Sequence, residues 1–372
     1  MAKRKKQMGE SQRNFEQMTL DIFNGKDPGG VLWQPRIDFW YAVNKKRGML
    51  PPHLRDASLI DLYDYCYASI RYWSFPLRVR YKNVEIREEM IDEKSRRRTW
   101  HTPVGELTET FHHDEWNLSA YNSEYLLKTP EDFKIYEYVL QDEEWYWDQA
   151  AYEQEQPQIG QRGSLRFFAR RSPIQSLYIE NMGFEPTIFM LNDQPRVIEC
   201  YLEARAFADE AMYQVICSSP TRLFNFGENI DAHMDPPSIW RKYLLPHYQK
   251  RCDQLHAAGI KTSIHIDGAM KPLLKDIPNC PTTGIEACTP LPQGDVTLEQ
   301  IKQALGERVM EDGIPAVYFL PYFPVEELVA CTKKIVEMFY PHLALGISDE
   351  IPPDGDIERV RMIGELVQEM KV

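Results

Sequence analysis

The stretch Ile260–Gly268 reads Ile-Lys-Thr-Ser-Ile-His-Ile-Asp-Gly, a β-branched run that ends on an imidazole and a carboxylate and is stopped by glycine. On a strand, residues two apart point to one face, so His265 and Asp267 would stand side by side where the strand gives way to its loop. In parallel α/β sheets the carboxyl ends of strands are where ligands bind. Other ionisable groups fall at the ends of neighbouring candidate strands: Arg36 with Asp38, Glu228 with Asp231, Glu286, and Asp349 with Glu350. An imidazole among carboxylates in a desolvated cleft is the combination that binds a divalent cation or moves a proton. Glu228, His265 and Asp267 make the candidate metal ligands, because a catalytic zinc takes three protein ligands and keeps one position open. An oxygen-rich set of this kind also suits other divalent ions. Asp231, Glu286 and Asp349 are the candidate catalytic groups for proton transfer, and Arg36 is the candidate substrate-binding residue.

Elements must place these groups together. Gln12–Asn24 has the spacing of an opening helix, Val31–Arg36 reads as a first strand, and Ser58–Tyr72 carries apolar residues at helical spacing. From Leu77 to about Thr110 the pattern alternates, predicting two or three antiparallel strands of an inserted hairpin. Thr129-Pro-Glu starts a helix to Leu140 with proline in its first turn, and Glu143–Gly163 reads as a polar helix fading into a loop. In the back half, candidate strands Ser176–Ile179, Leu223–Phe226, Ile260–Ile266, Thr283–Ala287, Ala316–Leu320 and Leu343–Ile347 alternate with candidate helices Gln194–Phe207, Pro237–Ala258, Ala269–Lys275, Leu298–Leu305, Val325–Tyr340 and Ile357–Met370. Thr297 with Gln300 forms a capping box, and Asp356 can cap the last helix. This rhythm predicts an α/β fold, a (β/α)8 TIM barrel with an N-terminal helical and β-hairpin elaboration. The expected organisation is a single domain over 1–372, with a helical arm at 1–30, an inserted region at 77–165 and core repeats at 176–372.

Composition narrows the function classes. Forty-three basic against 56 acidic residues leave a net charge of −13, which repels a phosphate backbone, so nucleic acid is not an expected partner. The basic cluster Lys3–Lys6 precedes no apolar run, and no stretch has the roughly 20 apolar residues of a spanning helix. The seven cysteines are scattered without Cys-x-x-Cys pairing, which suits the reducing cytoplasm. His247 falls on an apolar helix face and reads as structural, Cys252 and Cys331 as packing residues, and Cys288 as a minor ligand candidate. No phosphate-binding glycine motif occurs.

Three stretches carry a family resemblance. Pro236-Pro-Ser-Ile-Trp-Arg-Lys-Tyr-Leu-Leu-Pro-His-Tyr-Gln-Lys250 follows an acidic strand end, His265-Ile-Asp-Gly precedes a Pro-Leu-Leu helix start, and Asp349-Glu-Ile-Pro-Pro-Asp-Gly-Asp-Ile-Glu-Arg-Val360 closes the chain. Together they resemble the uroporphyrinogen decarboxylase superfamily, closest to its cobalamin-dependent methyltransferase-like branch. The resemblance implies a barrel enzyme that moves a methyl group between a small substrate and a corrinoid protein, with Zn2+ activating the substrate heteroatom, and it leaves room for a homodimer. Where that branch places zinc-binding cysteines this chain has Asp267 and Asp349, and Arg36 is followed by Ile-Asp-Phe-Trp rather than by the decarboxylases' second arginine. A metal-free decarboxylase, with Arg36 on a carboxylate and Asp231 or Asp267 protonating the carbanion, is the alternative enzyme. A non-catalytic tetrapyrrole- or corrinoid-binding module is the third reading.

Overall fold

The computed structural model describes residues 13–73 and 75–372. Lys3–Lys6, and Gln12 at the start of the expected first helix, lie outside the described residues. Thirteen strands are found among them: β1 (Leu32–Trp33), β2 (Leu77–Tyr81), β3 (Glu85–Met90), β4 (Ser95–Thr102), β5 (Gly105–His113), β6 (Ala120–Glu124), β7 (Glu143–Trp147), β8 (Arg166–Phe168), β9 (Leu223–Ile230), β10 (Lys261–Ile266), β11 (Gly284–Glu286), β12 (Val309–Pro315) and β13 (Leu343–Ser348). Seven of them form one curled parallel sheet in the order β1-β13-β12-β11-β10-β9-β8. Both edge strands meet the segment 68–72. The Ser69 amide donates to the Trp33 carbonyl (2.7 Å), while Tyr72 bridges in parallel to Arg166 on β8.

Alternation along these strands sorts their side chains. On β9 the rings of Phe224 and Phe226 face outward, against Tyr213 and Tyr248 of the covering helices. The amino ends of the strands are closed by the helix Phe15–Phe23, capped by Asn14, whose Phe15, Met18, Ile22 and Phe23 pack on Leu32, Leu223, Val309 and Ala344. At the carboxyl ends the side chains of Arg36, Asp267, Asp349 and Glu350 keep 25–32% of their surface in contact with solvent.

The inserted region is richer in structure than a hairpin. β3 to β6 form a four-stranded antiparallel sheet, β2 pairs separately with β7, and Pro130–Asp142 is a helix with proline in its first turn after Thr129, as the sequence predicts. Glu143–Gly163 is strand β7 followed by the helix Gln149–Ile159. Among the described residues, no helix is long and apolar enough to cross a membrane, and the seven cysteines are unpaired.

Several expectations are corrected. Ser176–Ile179 is helical, because Pro173 behind Ser172 starts a helix that runs into a π-turn at Leu177–Asn181, and the strand that joins the parallel sheet is β8, ten residues earlier. Ala316–Leu320 is a 3-10 turn, since the strand β12 is already complete at Pro315. The helix expected over Ser58–Tyr72 stops at Tyr65, and Tyr67 then turns the chain at φ 53°. Ala269–Lys275 keeps only a 3-10 turn at Lys271–Leu273. The core therefore begins at β1 and β8 rather than at residue 176, while the helices ending the chain, Val325–Phe339 and Ile357–Glu369, match their predicted positions.

Candidate active site

The concave face of the sheet is charged, whereas the interior of a β/α barrel is usually filled with branched apolar residues. From the floor upward, the Arg166 guanidinium lies 4.9 Å over the Phe23 ring and pairs with Glu311. Above them Arg71, 2% exposed, makes a two-pronged contact with Asp312 (2.7 and 3.0 Å) and donates to Glu286 Oε1 (2.7 Å). Gln34 accepts from Arg71 Nε through its side chain and from Nη2 through its carbonyl, both at 3.2 Å.

Glu286 is the hub. Oε1 also accepts from the Tyr72 hydroxyl (2.8 Å), and Oε2 meets His265 Nδ1 (2.8 Å) and accepts from Asn225 Nδ2 (2.5 Å). Asn225 Nδ2 donates to Tyr72 as well (2.7 Å), and Ser263 donates to Asn225 Oδ1 (3.0 Å), so the imidazole is fixed by neighbours on β9, β10 and β11. His265 Nε2 faces the mouth, 3.5 Å from Asp267 Oδ2, and Asn229 Nδ2 steadies that same oxygen at 3.0 Å. Opposite, Arg36 pairs with Asp349 and, at 3.5 Å, with Glu350. These rim side chains are 25–32% exposed, whereas His265 as a residue is 5% exposed.

Burial by itself would lower the His265 pKa. Its contacts with Asp267 and Glu286, and the charges of Glu286 and Asp349, outweigh that and raise it to about 10, so the ring is an imidazolium at neutral pH. Burial likewise opposes ionisation of Glu286, but the His265 hydrogen bond and the Arg71 charge hold its carboxyl well below the usual range. Three of the non-glycine residues in the left-handed region, Asn229 (φ 57°), Ala287 (φ 64°) and Asp312 (φ 74°), lie at or near the carboxyl ends of β9, β11 and β12. Strain of this kind gathers at functional sites, where surrounding contacts over-determine it.

Of the residues singled out in the sequence, His265, Asp267, Glu286, Asp349 and Arg36 come together at this mouth. Glu228 does not. It has the parity of Phe224 and Phe226, so it turns away from the lumen, where its carboxylate accepts from Ser172 N (2.9 Å) and Ser172 Oγ (2.8 Å). Asp231 is a loop cap, accepting from the amides of His233 (2.7 Å) and Ala269 (3.1 Å), and a side chain at Gly268 would overlap its carboxylate. Cys288 is sealed in the core, with burial pushing its thiol pKa up. His247 is half-buried edge-to-face with Tyr213, and desolvation lowers its pKa to about 3, in keeping with a structural role.

The donors present do not make the three-ligand zinc centre. His265 Nε2 and Asp267 Oδ2 have the spacing of two ligands of one ion, about 3.4 Å for bonds near 2.1 Å in a tetrahedron. Glu228 lies on the other face of its strand, Asp349 is committed to Arg36, and among the described residues no group of three or more His, Cys, Asp or Glu is arranged to hold a metal.

Arg71, Tyr72, Asn225 and Asp312 were missed in the sequence. The first two sat in an overlong helix and Asp312 before a misplaced strand. The signal for Asn225 was present, since Asn225, Gly227 and Asn229 alternate with Phe224, Phe226 and Glu228.

The fold is similar to that of a methyltransferase from Methanosarcina mazei. The two superpose with a TM-score of 0.57 at 14% identity, over 95% of this chain and 99% of that one. A B12-independent methionine synthase from Shewanella sp. W3-18-1, in complex with selenomethionine, matches at a TM-score of 0.41 and 11% identity, over 92% of this chain and 96% of that one. No family model matches the chain, and neither does any curated protein. The likeness to the first structure is one of fold and agrees with the α/β architecture expected from the sequence.

Glu228 makes a separate prediction. Burial raises its pKa from 4.5 to about 7. An acid with a raised folded pKa contributes stability below its unfolded value and loses it as the pH climbs through the folded one. Glu228→Gln should therefore gain in melting temperature over the natural protein between pH 5 and pH 8, measured by thermal unfolding at both pH values. A constant difference would show that the carboxyl is ionised throughout.

Proposed function

We propose that this protein is an enzyme of methyl transfer whose reacting centre is the barrel mouth at His265, with Asp267, Asp349 and Arg36 around it. On this reading the segment 68–72 is the eighth stave, closing the sheet into a complete barrel. The observation that carries the proposal is the fixed imidazolium: Nδ1 is held by Glu286, and Nε2–H is presented to the opening beside Asp267.

When a methyl group leaves a heteroatom for a nucleophile, the bonding pair stays on the heteroatom. Nε2–H stabilises that pair by hydrogen bonding and then gives it the proton, and in the reverse direction the neutral ring takes the proton back. With its pKa raised by Asp267 and Glu286, the ring is protonated at neutral pH and can serve a leaving amine, alcohol or thiol alike. Asp267 orients the ring, and Arg71 keeps Glu286 ionised at the base of the relay. The methyl carrier proposed from the sequence resemblance is a corrinoid protein. For zinc the donors supply two ligands, His265 Nε2 and Asp267 Oδ2. The unpaired thiols support a reducing, cytoplasmic setting.

The test is to mix the protein with reduced cobalamin and a panel of methylated amines, ethers and thioethers, and to follow the methylcobalamin spectrum. Formation of methylcobalamin from one class is the expected result. No methylation from any donor, with carbon dioxide released from a small acid instead, would replace this reading by the decarboxylase. Metal analysis of the same protein, compared with His265→Ala, decides whether zinc takes part.

A further inference from the structure

The mouth has more negative than positive charge, and one of its walls is aromatic. Asp267, Asp349 and Glu350 stand on its rim and Asp38, Glu286 and Asp312 lie buried beneath, against the cations Arg36, Arg71 and His265. Even with the imidazole charged, carboxylates outnumber cations two to one. Burial raises the Asp312 carboxyl to about 6 and lifts those of Asp38 and Glu350, as expected where counter-charge is short.

The wall is formed at the end of β8. Phe168 is 43% exposed and Phe75 37% exposed, and the two rings pack edge-to-face at 4.8 Å. Phe168 also meets the Tyr72 ring edge-on at 5.6 Å, while the Arg36 guanidinium stands 6.0 Å from that ring on the rim. Gly227 seats the wall, since a Cβ there would come within 3.1 Å of the Phe168 ring. Two residues on, Asn229 holds Asp267, so the aromatic wall, the carboxylates and the imidazole border one opening. Aromatic rings left in water beside an active-site rim have an unmet apolar demand, and ring faces attract a cation that carries methyl groups.

We propose that this mouth binds a methylated ammonium, with the methyl groups against Phe168 and Phe75 and the positive charge offset by Asp267 and Glu350. The inference rests on the methyl-transfer reading and supplies its substrate class. In that reaction the methyl carbon leaves nitrogen for a reduced corrinoid, whose electron pair forms the new bond. The C–N pair stays on nitrogen, and the neutral amine takes the proton from His265 Nε2.

The experiment is titration calorimetry of the full chain with choline, with tetramethylammonium, and with 3,3-dimethylbutan-1-ol, the uncharged isostere of choline. Saturable binding of an ammonium, at least tenfold weaker binding of the alcohol, and at least a fivefold loss in Phe168→Ala at an unchanged melting temperature are expected. Equal affinity for the alcohol, no saturable binding of either ammonium, or an affinity unmoved by Phe168→Ala would overturn the inference. So would a stoichiometric divalent metal in the purified protein whose removal creates the ammonium binding. Ammonium binding without methyl transfer sinks the reaction and leaves the site standing, whereas methyl transfer from neutral donors without ammonium binding does the reverse.

Discussion

Glu286→Ala should destabilise the protein by about 3–5 kcal/mol, the range for removing one partner of a buried ion pair. The carboxylate sits 1% exposed between Arg71 and His265, and its two oxygens accept from Arg71, Tyr72 and Asn225 as well as meeting the imidazole. Alanine would leave a guanidinium with only Asp312 to answer it and an imidazole without its Nδ1 partner, all in an interior that water cannot reach to compensate. Urea unfolding at neutral pH measures the loss. The pH dependence has a definite sign, because the folded pKa of Glu286 is depressed. Its contribution is present above the ordinary value of 4.5 and is lost as the pH falls below it, so natural protein and variant should converge on acidification. A variant within 1 kcal/mol of the natural protein, or a gap that widens in acid, would mean that the lumen network is not a unit.

His265→Gln should cost about 10²–10⁴ in methyl-transfer rate, the usual worth of one positioned proton donor, while the fold survives because Glu286 keeps Arg71. On the methyl-transfer reading the natural protein should lose activity as the pH rises through about 10, where the imidazolium gives up its proton. The same carboxylate contacts stabilise the charged ring, so its contribution to folding is full below 6.5 and disappears over that same rise. The variant should lack this alkaline limb. Rates compared across the pH range on folded samples are the measurement, and a variant as active as the natural protein would remove His265 from the chemistry.

Much of this architecture was legible in the amino-acid order because its signals are local. The β-branched run at Ile260–Ile266, the proline start after Thr129, the capping box at Thr297 and the Asp356 cap each depend on residues within one turn or one strand, and each forms as read. His265 and Asp267 share a face for the same reason, since period-two alternation needs nothing from the rest of the chain. Glu228 was misplaced although the same rule was available, because an acidic residue at a strand end was weighed by its type and not by its parity with Phe224 and Phe226.

What the sequence by itself determined was the alternation of strands and helices, the polarity of their ends, and the pair His265–Asp267 at one of them. Only the tertiary structure decided which distant groups complete the site. Arg71 comes from a short segment meeting both sheet edges, Asp312 from a left-handed kink on β12, and Asp349 is drawn to Arg36 across more than three hundred residues. Such partners are chosen by the curling of the sheet, which brings into one buried volume charges that must neutralise each other. That requirement acts through space, and no spacing along the chain records it.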